Sequence, residues 1–229
     1  MKILVVGGQH GDEKLGGVVV QALVREKIGS VSGIVGNPRA FDQNVRYIDQ
    51  DLNRSFPGDP QGNYEQRRAH ELLPLVRAAD VVLDIHTTTS DIKMTPIVAE
   101  VSGLVSTVLS YSLAKNIVVM GDAAIKNSLI GHAKVGVSLE FGLTYSQTPD
   151  ALQEVLDIVK GLQNGEVRPK QKRRVYHVAG KISLDTKLPA DAKNFELVED
   201  LGIYPFLLHE KSYVDFQGFY ADSYEEVEI

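Results

Sequence analysis

Residues 1–13 read MKILVVGGQHGDE. A short apolar run, Ile3 to Val6, breaks at Gly7-Gly8, and His10, Asp12 and Glu13 then crowd into one turn. A run of this length bounded by glycines has the pattern of a buried strand. Polar groups just past its end sit where open parallel sheets place ligands, outside the carboxyl ends of the strands. His10 and Glu13 are three residues apart. On a helical or turn-like backbone that spacing puts both side chains on one side, able to grip one ion. The stretch therefore predicts an α/β fold with a site at the end of its first strand. It also requires a further ligand and a base from elsewhere in the chain.

Outward from it, residues 14–28 read as a helix whose Gly16 and Gly17 weaken its start but allow close backbone approach. Residues 31–35 read as a second strand leading into the turn Asn37-Pro38-Arg39-Ala40. A long polar passage, 41–64, carries Arg46, Asp49, Asp51, Asn53 and Arg54. A loop of that length is a mark of function or disorder, and Tyr47, Ile48, Leu52 and Phe56 supply anchors for an ordered one. Residues 64–79 read as a helix containing Pro74, and 80–85, DVVLDI, as a central parallel strand ending in His86-Thr87-Thr88-Thr89. Further strands are expected at 95–99, 117–120 and 135–141, with helices around 104–114 and over 149–162. The polar, basic run 165–174 reads as a solvated linker. After it the texture becomes short aromatic-containing runs with turn residues. The expected organisation is an α/β domain at 1–164, a linker at 165–174 and a small β-rich domain at 175–229. Tyr213, Phe216, Phe219 and Tyr220 read as packing within the last, with room for one of them to reach over the site.

Composition excludes several classes. The 229 residues suffice for one large domain or one domain with an appendage. A 43% hydrophobic and 24% charged composition is ordinary for a globular protein, and a net charge of −6 gives no reason to expect nucleic acid. No apolar run is long enough to span a membrane. The first residues lack the pattern of a signal peptide, so a cytoplasmic location is expected. With no cysteine, disulfides, thiolate zinc sites and cysteine nucleophiles are ruled out. The glycines at 7, 8 and 11 form neither GxGxxG nor GK[ST], which argues against a phosphate loop.

Three apolar runs end in ionisable residues at one structural place: His10 and Glu13 after the first, His86 after DVVLDI, Glu140 at the end of VSLEF. Two His and one Glu make a catalytic zinc pattern that leaves an open coordination position. A zinc there lowers the pKa of bound water to about 7. Glu140 is then the free carboxylate placed to move the proton to a leaving amine. Arg46 and Arg54 supply positive charge that can hold a carboxylate or polarise a carbonyl. Asp84 lies two residues before His86. On a strand the two share a face, so Asp84 is placed either to orient a ligand histidine or to make a structural hydrogen bond.

GGQHGDE, NPRAF, RYIDQDLNRSFPG, DIHTTTSD and SLEFG occur in this order across residues 1–142. Together they resemble the succinylglutamate desuccinylase/aspartoacylase family, relatives of the zinc carboxypeptidases. The resemblance implies a zinc-carboxypeptidase-like fold: a mixed, mostly parallel central sheet flanked by helices, with a small C-terminal β domain. It implies one zinc per chain, held by His10, Glu13 and His86, with Glu140 as general acid/base. It further implies Arg46 polarising the scissile carbonyl, and Asn53 and Arg54 holding a substrate carboxylate. The chain departs from the family at Asp12, where Asn is common. In aspartoacylases a basic residue ahead of the Glu140 strand helps select acidic acyl amino acids. Lys126, His132 and Lys134 lie nearby but out of register with it, so the reaction class carries over better than the substrate.

The expectation is thus a zinc-dependent amidohydrolase deacylating an N-acyl amino acid or similar small amide, with a homo-oligomer possible. Two alternatives stand beside it. One is a zinc carboxypeptidase acting on short peptides with the same residues. The other is a catalytically silent binding protein on the same scaffold.

Overall fold

In a computed structural model describing residues 1–101, 103–121, 125–166 and 168–229, all five residues of β1 (Ile3–Gly7) are buried. A strand buried throughout needs cover on both faces. Side chains alternate along it, so Ile3 and Val5 enter one core cluster while Leu4 and Val6 enter another. The first cluster is closed by α1 (Lys14–Glu26), α4 (Gly103–Ser110) and α6 (Pro149–Asn164). The second is closed by α3 (Tyr64–Ala78) and by 3-10 turns at Leu52–Arg54 and Ile130–His132. Short helices α2 (Pro38–Gln43) and α5 (Leu143–Ser146) lie in the connections. Among the described residues, no helix is long and apolar enough to cross a membrane.

The strands are β2 (Val31–Val35), β3 (Val81–Thr88), β4 (Met94–Val98), β5 (Asn116–Val119), β6 (Gly136–Gly142) and β7 (Lys172–His177), then β8 (Gly180–Ser183), β9 (Tyr204–Phe206), β10 (Phe216–Ala221) and β11 (Tyr224–Glu228). Eight form one sheet in the order β11-β7-β5-β4-β6-β3-β1-β2, and β8-β10-β9 form a second, antiparallel one. Within the large sheet only the β4–β6 and β11–β7 pairs are antiparallel. This is the mixed, mostly parallel sheet expected from the sequence.

Helix and strand positions agree with the sequence reading to within a few residues, with two instructive differences. β3 runs through His86 to Thr88, beyond the expected end at Ile85. The second difference is in the run 165–174. Its last residues, Lys172 to Arg174, are not solvated linker but the start of β7, which pairs with β5 of the large sheet. Arg173 is only 3% exposed. Its guanidinium donates to the carbonyls of Ser112 and Ala114, so an alternating strand buries one basic residue and leaves its neighbours in water. β11 also returns to the large sheet, beside β7. The C-terminal segment therefore supplies both an edge of the main sheet and the small sheet. Ile97, Val118, Tyr176, Phe195 and Phe206 form a third core cluster joining the two.

Candidate active site

The parallel register does the positioning. β1, β3 and β6 are neighbours, Gly7 pairs with Ile85, and His86 pairs with Glu140. Val81, Leu83 and Ile85 face the α1/α6 side. The alternating Asp84 and His86 therefore face the α3 side, as Glu140 does between the inward Leu139 and Phe141.

β1 hands over to α1 through the turn that carries His10 and Glu13. That turn fits closely. A Cβ at Gly7 would lie 2.3 Å from the Gly16 carbonyl oxygen, and one at Gly11 would lie 2.0 Å from the Ala40 carbonyl carbon. Glycine at these places lets α1 and the α2 segment sit against the turn. The Gly11 N–H donates to the Arg46 carbonyl at 3.2 Å, which ties the polar loop to the same turn.

Donor atoms of His10, Glu13 and His86 all lie within 4.8 Å of one another, and all three residues are buried. His10 Nδ1 lies 2.6 Å from Glu13 Oε1, and His86 Nδ1 lies 3.0 Å from Glu13 Oε2. The far nitrogen of each ring meets a second carboxylate. His10 Nε2 is 3.1 Å from Asp51 Oδ1, and His86 Nε2 is 2.9 Å from Asp84 Oδ2. The Gln9 amide donates to Asp84 Oδ2 at 2.6 Å, and the Thr87 N–H donates to Glu13 Oε2 at 2.9 Å. Each imidazole is thus held in orientation by an outer carboxylate, the arrangement that fixes the tautomer of metal-binding histidines.

The electrostatics of the four groups agree. Burial alone would lower both histidines. For His10, the Glu13 charge and hydrogen bonds to Asp51 and Glu13 override it and raise the pKa. For His86, the charges of Asp84 and Glu13 raise it well above the ordinary value. Burial alone would raise Glu13 and Asp51, yet both are held well below the usual carboxylate range. The two histidines do this for Glu13, and His10 with Arg54 and Arg46 does it for Asp51. The site favours two positive charges between its carboxylates. A divalent cation coordinated by neutral imidazoles supplies the same charge as two imidazolium protons, so the donor set fits zinc in charge as well as in type.

Glu140 behaves differently. Burial pushes its carboxyl up to about 7; attraction from His86 and His10 opposes this, and repulsion from Glu13 and Asp84 adds to it. The cleft is narrow, with about 70 Å³ open to water. Arg46 lines it, with Nη1 3.5 Å from Glu13 Oε1 and Nη2 3.7 Å from Asp51 Oδ2. Asn53 lines it from the 3-10 turn, its Oδ1 accepting from the Leu129 N–H at 3.2 Å. Arg54 also lines it, donating to the Asn53 carbonyl at 2.8 Å. All seven residues singled out from the sequence, His10, Glu13, His86, Glu140, Arg46, Asn53 and Arg54, therefore border one cleft.

Other cleft residues were not legible. Glu210, Ser212 and Tyr213 come from the C-terminal segment and close the cleft from above. Of the four C-terminal aromatics, Tyr213 is one that reaches the site: its ring stacks on Phe216, at 4.2 Å between centroids, and it also borders the cleft. Burial raises its phenol, with repulsion from Glu140 and Glu210. From the sequence Asp51 reads as a polar loop residue and an ion-pair partner for Arg46 or Arg54, and Arg46 does reach it. No spacing signal links it to His10, 41 residues away.

Residues 1–164 match the family described as succinylglutamate desuccinylase/aspartoacylase catalytic domain. The chain belongs to this family. A probable aspartoacylase of Nostoc sp. is 26% identical over 197 residues, covering 77% of this chain and 62% of that protein. An N-acyl-aromatic-L-amino acid amidohydrolase (carboxylate-forming) of Xenopus tropicalis is 33% identical over 111 residues, 41% of this chain and 36% of that protein. The family member described here thus spans less than two thirds of the length of either relative. The crystal structure of murine aminoacylase 3 superposes with a TM-score of 0.77 at 21% identity, covering all of this chain and 96% of that one; at that identity the likeness speaks to the fold.

Proposed function

We propose that the chain is a zinc-dependent hydrolase of carbon–nitrogen amide bonds that deacylates N-acyl amino acids. The observation that carries this reading is the convergence of His10, Glu13 and His86 donor atoms within 4.8 Å, in the cleft that also holds Glu140. His10, Glu13 and His86 would hold the ion, which when bound supplies a Lewis acid inside a water-poor cleft. Arg54 and Asn53 bind the substrate carboxylate and set its register, which supplies orientation. Arg46, loosely engaged by Glu13 and Asp51, donates to the carbonyl oxygen as charge develops on it. Glu140 accepts a proton from the attacking water and delivers it to the departing amine nitrogen. A carboxyl poised near neutrality suits both transfers.

Elemental analysis tests the site first. The expected result is about one zinc per chain in the wild type, lost in His86→Ala. Glu140→Ala is expected to keep the zinc and to lose hydrolysis of N-acyl amino acids by about a hundredfold or more. A folded wild type that refuses added zinc, or an active Glu140→Ala protein, overturns the reading. The carboxypeptidase alternative uses the same groups, and a panel of N-acyl amino acids against dipeptides separates the two.

A further inference from the structure

The catalytic cleft, with about 70 Å³ open to water, holds a scissile amide and little more. Beside it runs a larger groove of about 680 Å³. Thr87 lines both, and Asp12, between the ligand positions His10 and Glu13, lines the groove alone. The wall between them is fixed, because the Thr87 N–H is bonded to Glu13. The Thr87 hydroxyl is buried without a hydrogen-bond partner among the described residues, at the junction a substrate would cross. The strand alternation gives the direction. His86 faces the α3 side, so Thr87 faces the α1/α6 side with Leu83 and Ile85. Asn53 and Arg54 belong to the turn packed against α3, and neither lines the groove. A substrate whose carboxylate is held there therefore crosses the carboxyl edge of the sheet, and its acyl end leaves on the other face.

The groove's chemistry is aliphatic. Val18 of α1 and Leu143 of α5 are 48% and 46% exposed, and Pro149 and Leu152 of α6 join them. Lys14, the one cation lining the groove among the described residues, already donates to the carbonyls of Gly11 and Phe41. Asp12 puts a carboxylate on the rim. Nothing here calls for an acidic acyl group.

We propose that this groove is the acyl subsite of the hydrolase, and that it takes an uncharged, extended alkanoyl chain. The proposal rests on the hydrolase reading and names its substrate class: N-alkanoyl amino acids longer than N-acetyl ones.

The test compares N-acetyl and N-octanoyl derivatives of one amino acid in the zinc-loaded enzyme. It is paired with methyl NMR of the metal-free protein titrated with the same two compounds. The expected kcat/KM rises by at least about tenfold from acetyl to octanoyl, well below the gain for full burial of the added methylenes. The octanoyl compound should shift the Val18, Leu143 and Leu152 methyls, and the acetyl compound should not. Leu143→Asp and Val18→Asp, both at exposed positions, should each lower the octanoyl-to-acetyl ratio about tenfold. Hydrolysis that favours acetyl, with silent groove methyls, overturns the subsite and leaves the hydrolase standing. Absent hydrolysis with a groove response that Leu143→Asp abolishes leaves the subsite and overturns the reaction. A dimer that Leu143→Asp dissociates, with no methyl response to octanoyl, assigns the groove to a second copy and overturns the proposal.

Discussion

Glu13 and Glu140 are both carboxylates at the edge of one sheet, and their surroundings drive them apart. Glu13 lies between two imidazoles and accepts the Thr87 N–H, so its charge is stabilised. Among the described residues Glu140 has no such neighbours at hydrogen-bond distance, and it is pushed up to about 7, chiefly by burial. That displacement has a consequence for stability. A carboxyl raised above its unfolded value of 4.5 binds its proton more tightly in the folded state. Its burden is absent below the unfolded value and grows as pH rises from 4.5 to about 7. Glu140→Gln is therefore expected to raise the Tm of the metal-free protein at pH 8 and to leave it near the wild-type value at pH 4.5. Calorimetry at the two pH values checks this; an equal shift at both would mean that packing, not ionisation, is what changed.

At the scale of the elements, the site depends on how the 37–63 loop is tied down. The apolar anchors expected from the sequence explain only part of it. Leu52 and Phe56 are buried, but Tyr47 is 44% exposed. The organiser is Glu65, a fully buried carboxylate in the first turn of α3. It accepts the Asn37 side-chain amide and the N–H groups of Ile48, Asp49 and Gln50. A glutamate at a helix start has an ordinary sequence reading, favourable with the helix dipole, so nothing in the residue type reveals this role. The same loop meets the His10–Glu13 turn at Gly11, where a Cβ would sit 2.1 Å from the Ala40 carbonyl oxygen. The contact is backbone, so it cannot yield by a rotamer change. Gly11→Ala is expected to cost about 2–3 kcal/mol of stability through overpacking and, on the proposed zinc reading, to weaken zinc binding as the turn shifts. Urea unfolding and zinc titration of the same protein check both effects.

At the scale of the molecule, the C-terminal segment is woven into the unit that carries the candidate site. β7 and β11 complete the large sheet, and the small sheet is joined to it through the Tyr176 cluster. One side chain closes the junction over the cleft. Glu210 Oε2 accepts from the Thr88 hydroxyl and the Thr89 N–H, both at 2.6 Å, just beyond the His86 position. Burial alone would raise Glu210, but these hydrogen bonds and those from Ser212 lower it. Its contribution to stability is thus present above the unfolded carboxylate value and is lost as pH falls through the lower folded one. Glu210→Ala is expected to cost about 1.5–3 kcal/mol at neutral pH. Faster hydrogen exchange should then be confined to residues 207–213 and 88–90. Uniformly faster exchange across the core strands would show that the residue supports the whole fold and not this junction.

By itself the sequence determined the elements and the residues proposed to react. Short apolar runs mark β1 and β3, and ionisable residues at the ends of such runs mark His10, Glu13, His86 and Glu140, because strand ends are where side chains escape a buried sheet. The motif order added Arg46, Asn53 and Arg54. Tertiary structure decided the rest. Asp51 against His10, Glu65 under the polar loop, Arg173 inside β7, and Glu210 and Tyr213 over the cleft are contacts between residues far apart in the chain. Such contacts leave no periodicity behind them. A polar residue acquires its role there from the partner that the fold delivers, and burial then makes that partner obligatory.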